Sequence, residues 1–258
     1  MSRAVASRAP ARAPAAALPG GYLKQSQLPL ASLVFLLPFL ILYEVGTRQF
    51  AFDPVHHTEQ RIIAFNLMLQ FFQMLGATAR YMPPLAVVFL LLACHVVRND
   101  PWQVKASTLL GMLAESFAWA LPLLALGTVA AHWLSHFLPL MPIRGDGRAL
   151  FVLSLGAGIY EELVFRLVAL AILHTVLIDF ARLPRLWGYL GMVVISSFAF
   201  AFYHYLGNEA FSWRSLAFRT AAGAYFAGLF LLRGFGITAF AHSSYDLLVI
   251  YLRFTAGI

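Results

Sequence analysis

Apolar residues run along this chain in continuous stretches of about helical membrane length, broken by short polar or proline-containing turns. Spans of this kind are predicted at about 28–43, 84–97, 108–138, 150–180, 187–206, 216–232 and 235–252. The 108–138 stretch carries Pro122, which is expected to kink it. The stretch 61–81 is less apolar, with Gln70 and Gln73 among Phe, Leu and Met, and suits either the membrane interface or the inside of a bundle. Strands of a transmembrane barrel would alternate over about ten residues, and these runs do not. The expected fold class is therefore all-α: a polytopic transmembrane bundle of seven or eight helices with a polar intramembrane cavity.

Composition agrees with the pattern. Only 11% of the 258 residues are charged and 61% are hydrophobic, whereas soluble domains carry about a quarter charged residues. Backbone groups in hydrocarbon must be paired within their own segment, which helices achieve. Residues 1–26 read as a disordered tail, rich in Ala, Pro and Arg, in which Pro10, Pro14 and Pro19 break any long amphipathic helix. Residues 27–258 form a single transmembrane domain with no repeat or soluble module. The formal net charge of +7 sits in the tail and in short loops, where it meets anionic lipid headgroups, so membrane lipid is an expected partner and nucleic acid is not. The N-terminus is placed in the cytosol, mostly by the basic tail. The single cysteine, Cys94, excludes an internal disulfide and a thiolate zinc site.

Against this background a few side chains are out of place. Glu161, Glu162 and Arg166 fall in one span, His204 near the end of the next, and His242 with Asp246 in the last. Ionisable groups in a span are costly and face a partner or a water-filled cavity. Glu162 and Arg166 are four apart, on one helical face, and can form an ion pair. Glu161 is turned about 100° away, toward a different neighbour. His242 and Asp246 are again four apart. Ser154 and Gly158 precede Glu162 on its face and permit close approach of another backbone.

Taken singly, a Glu–Arg pair in a bundle reads as a structural lock and an intramembrane histidine as a helix bridge. Several other polar residues need no function. His132 and His136 have metal-pair spacing but no third ligand, His56 and His57 belong to a loop, and His95 and His174 lie near span ends. Glu115 suits a structural hydrogen bond, Arg219 can snorkel to the headgroups, and Thr220, Ala224 and Gly228 read as a small-residue packing stripe.

The polar residues fall into three short patterns in order. Glu161-Glu162-Leu163-Val164-Phe165-Arg166 fits EExxxR, Phe200-Ala201-Phe202-Tyr203-His204 fits FxxxH, and His242-Ser243-Ser244-Tyr245-Asp246 fits HxxxN/D. Each is weak alone, but together, on membrane helices, the region of about 150–252 resembles the CPBP family of intramembrane proteases, which includes the type II CAAX prenyl proteases and bacteriocin-processing membrane proteases. The resemblance implies an endopeptidase acting on a membrane-associated protein or peptide. It assigns water activation to Glu161 and His204 and oxyanion stabilisation to His242 and Asp246. Glu162 and Arg166 would hold the first glutamate and its helix. No cofactor is implied by this glutamate-type reading. An alternative is a zinc site of Glu161, His204 and His242, and a non-enzymatic alternative is a scaffold, immunity or transport protein. The expected location is a bacterial inner membrane.

Overall fold

The computed structural model describes residues 17–18, 20–53, 58–134, 146–207 and 209–256. Nine helices lie among them: α1 Tyr22–Gln25, α2 Pro29–Phe50, α3 Ile63–Met74, α4 Met82–Val97, α5 Ala106–Leu134, α6 Gly147–Phe180, α7 Arg185–Tyr203, α8 Trp213–Arg233 and α9 Phe235–Ala256. Six of these, α2 and α5 to α9, are long and apolar enough to cross a membrane. Adding the 16-residue α4 and the 12-residue α3 brings the total to eight. At 1.5 Å per residue α3 is about 18 Å long, well short of a hydrocarbon core of about 30 Å, so it does not cross as a straight helix. A two-residue antiparallel pairing, Phe52–Asp53 with Thr58–Glu59, precedes it. His56, His57 and His136 lie outside the described residues, as does the side chain of His132.

The lipid-like composition does not itself drive helices together, since lipid chains are as apolar as leucine; close packing does. The central helix α9 packs against α5, α2, α6 and α8, and α7 packs along α8. Gly158 shows why α6 and α9 can meet: a Cβ there would strike the Ala239 carbonyl oxygen and lie 2.7 Å from the Ser243 nitrogen. The small residues joining α8 to α7 are not the expected Thr220, Ala224 and Gly228. Nothing lies within 4 Å of a Cβ built on Gly228, whereas one on Gly223 would be 2.9 Å from the Ser197 Cα. Ala222, Gly223 and Ala227 are the buried set, because the contact lies on a neighbouring face of α8. Gly234, with φ of 79° and ψ of −177°, ends α8 in a positive-φ conformation open to glycine and lets the chain turn directly into α9. Ile41, Phe89, Ile172, Val194 and Phe198 are among the apolar side chains that face outward.

The folded chain begins before residue 27, contrary to the expected tail boundary. Gln25 and Ser26 are buried, and Tyr22 donates a hydrogen bond to Glu115. The reason is Arg233, which ends α8 and binds Glu115, the Leu23 carbonyl and Ser26 together. Glu115 is thus structural, as expected, with Trp119 as a further donor.

Arg61 forms a second hub, outside the six long spans. Its guanidinium pairs with Glu44 at 3.0 Å and Glu59 at 2.6 Å and lies over the Phe65 and Tyr43 rings. Burial raises the Glu59 carboxyl, but the hydrogen bond from Arg61 and the charges of Arg61, Arg80 and Arg48 outweigh it and hold that carboxyl below its ordinary value. This hub fixes the start of α3 against α2.

Candidate active site

Helix α6 carries the first polar motif on widened, π-helical turns, Ala157–Glu161 and Leu163–Val168. Such turns are frequent at functional sites. They keep the predicted pairing: Arg166 Nε lies 2.9 Å from Glu162 Oε2, and both side chains are fully buried. Arg166 also donates to the Gly223 carbonyl at 3.2 Å and lies over the Phe200 ring. A buried cation is thus held by a carboxylate, a carbonyl and an aromatic face, which ties α6 to α7 and α8.

Glu162 has a second partner that its spacing did not announce. Its Oε1 accepts from His242 Nδ1 at 2.7 Å. The His242 ring is fixed further by stacking on Phe226, at 4.7 Å between centroids and 18° between planes. Since the carboxylate can only accept, Nδ1 carries a proton and Nε2 is the atom left to face the cluster. His204 is pinned in the same sense. The Phe200 carbonyl can only accept, so His204 Nδ1 donates to it at 2.8 Å. Its Nε2 is likewise the free end.

Both free ends point to the same atom. His204 Nε2 lies 3.7 Å from Glu161 Oε2, and His242 Nε2 lies 3.9 Å from that oxygen and 3.7 Å from Asp246 Oδ2. The Glu161 oxygen in question is buried and has no direct hydrogen-bond partner. Its other oxygen, Oε1, accepts from the Tyr203 hydroxyl at 2.9 Å. Glu161, Glu162, Arg166, His204, His242 and Asp246 therefore form one cluster where α6, α7 and α9 meet. Its deep side is Glu162 and Arg166, at 0% exposure, and its accessible edge is His204 at 18% and Asp246 at 29%.

The separations have a chemical meaning. At 3.7 to 3.9 Å the two imidazoles and Glu161 are too far apart for direct hydrogen bonds. They are close enough for one small oxygen-bearing group, a water or a peptide carbonyl, to contact more than one of them. Among the described residues no three His, Cys, Asp or Glu side chains are arranged to hold a metal ion.

One participant escaped the motif reading. Tyr203 touches Glu161 directly, and its only sequence signal is its place just before His204. Arg219, expected to snorkel, instead pairs with Glu209 at 2.7 Å. The chain leaving α7 brings that acid back over the start of α8, and a nearby carboxylate supplies what the headgroups would have.

Comparison with family models gives a match over residues 147–248 to the family described as type II CAAX prenyl endopeptidase Rce1-like. The matched segment contains all three motifs and every member of the cluster, and agrees with the resemblance carried by those motifs. Comparison with curated proteins and with solved structures gives no match.

Proposed function

We propose that this integral membrane protein is an intramembrane endopeptidase that uses Glu161 to activate water against a peptide bond of a membrane-associated protein or peptide. The observation that carries the reading is the convergence of two pinned imidazoles on one partner-free oxygen of Glu161. The family match over 147–248 supports a peptidase.

Water is a weak nucleophile near neutral pH, so a base must remove its proton as it attacks the carbonyl carbon. Glu161 Oε2 takes that proton, and His204 Nε2, at the accessible edge, helps to hold the water. The new C–O bond pushes the carbonyl electrons onto oxygen, which needs donors already in place. His242 donates from Nε2 when its ring carries both protons, and Asp246 donates in its acid form. The proton on Glu161 then passes to the departing amine as the C–N bond breaks. Glu162 orients His242 and neutralises Arg166, so its role is to hold the machinery.

Asp246 separates a donor role from an anionic one. An asparagine has nearly the same shape and also donates. Asp246→Asn is expected to keep most of the turnover and Asp246→Leu to lose about a hundredfold or more, the scale of one oxyanion donor. Turnover of the two variants at matched expression and thermal stability checks this. An inactive but stable Asp246→Asn rules out the donor role.

The test of the reaction itself uses purified protein in liposomes with internally quenched peptides, some carrying a farnesylated cysteine and some not. Cleavage is expected to persist in strong chelator, because no step runs through a metal. Loss of cleavage in chelator, restored by Zn²⁺ alone, establishes the zinc-dependent alternative instead. No cleavage of any peptide by folded protein favours the scaffold or transport reading.

A further inference from the structure

Helix α3 begins at Ile63, and its cap residue Ile62 has no side-chain group to accept the first amides. The first four N–H groups of a helix have no partner within it. Ala64 is the second residue of α3, is buried, and finds its acceptor elsewhere: its N–H donates to the Tyr203 hydroxyl at 3.0 Å. That same hydroxyl donates to Glu161 Oε1 at 2.9 Å. A phenol has one proton. An amide N–H can only donate, so the phenol proton is committed to Glu161 and the direction of the chain of bonds is fixed.

Resting on the peptidase reading above, we propose that Tyr203 is a positioning residue that couples the N-terminus of α3 to Glu161. The relay gives the two carboxylate oxygens separate tasks. Oε1 is an anchor, held by a phenol that is polarised by the positive end of α3. Oε2 is left free to face both imidazoles and takes the water proton. The far end of the relay is seated by Arg61, three residues before Ala64, through Glu44 and Glu59. Residues 59–64 lie outside the segment 147–248 that matches the protease family, so the site depends on a part of the chain that the three motifs do not include.

A tyrosine remote from the relay provides the control: Tyr22 also donates to a carboxylate, Glu115, at 2.5 Å, outside both the cluster and the Arg61 hub. With the fastest-cleaved quenched peptide in liposomes, Tyr203→Phe is expected to lower kcat about tenfold to a hundredfold, the scale of one charge-assisted hydrogen bond, with KM unchanged. Tyr22→Phe is expected to keep the wild-type kcat. Wild-type kcat in Tyr203→Phe, or an equal loss in both variants, overturns the proposal.

A second measurement needs no activity. Amide exchange at Ala64 is expected to accelerate about tenfold or more in Glu161→Ala, which removes the acceptor that orients the phenol, and not in Glu161→Gln, which keeps it. Equal protection of Ala64 in both variants also overturns the relay. A fully active Glu161→Gln is a different result: it removes the peptidase assignment of Glu161, whatever the exchange at Ala64.

Discussion

Glu161→Gln is expected to lower turnover by about 10²–10⁴-fold, the usual contribution of a general base, with no loss of thermal stability. The reason lies in what the amide keeps and what it lacks. Its oxygen still accepts from the Tyr203 hydroxyl, which donates at 2.9 Å in the wild-type protein. Its NH₂ group faces His204 Nε2, an acceptor because that ring's proton sits on Nδ1. The packing and polar balance of the site therefore survive. The ability to take a proton from water does not. Turnover and the unfolding midpoint, measured on the same preparation, check both halves of the expectation.

Glu162→Gln is expected to act in the opposite order, on stability first. In the wild-type protein Glu162 uses one oxygen for Arg166 and the other for His242. Glutamine has a single acceptor oxygen, so one of the two donors must face an NH₂ group. It also leaves Arg166, at 0% exposure, without its counter-charge. Breaking a buried pair from one side costs about 3–5 kcal/mol, which at this chain length lowers the unfolding midpoint on the order of 10 °C. Activity falls as well, because His242 loses the bond that fixes its ring. Replacing both partners, Glu162→Gln with Arg166→Met, is expected to recover part of the stability, since the buried charge is gone. A stable but inactive Glu162→Gln beside an active Glu161→Gln exchanges the roles of the two glutamates.

Much of this arrangement was legible in the sequence because it rests on local periodicity. The apolar runs predicted the long helices to within about two turns at their ends. The four-residue spacing of Glu162 and Arg166 predicted their ion pair, and Gly158 predicted the close approach of another backbone, which the structure identifies as α9. The three motifs predicted which polar residues would meet. What stayed hidden depends on tertiary placement. Nothing local marks Glu162 as the partner of His242, which lies on another helix, or Glu115 as the partner of Arg233. The π-helical turns of α6 have no distinctive residue pattern. Tyr203 looks like one more aromatic residue on an apolar helix until α3 brings the Ala64 amide to one side of its hydroxyl and α6 brings Glu161 to the other. The 61–81 stretch was ambiguous because its composition suits an interface and a bundle equally. The 12-residue length of α3, and the seat that Arg61 makes for it, settle its place.

The most direct test of a Glu161-dependent peptidase is a comparison of protein termini in membranes from cells producing the wild-type chain or Glu161→Gln at equal levels. Free N-termini are labelled and identified by mass spectrometry. The expected result is a set of new termini, internal to membrane-associated proteins, that are present with the wild type and absent with Glu161→Gln. The same termini at the same abundance with both chains would contradict the account.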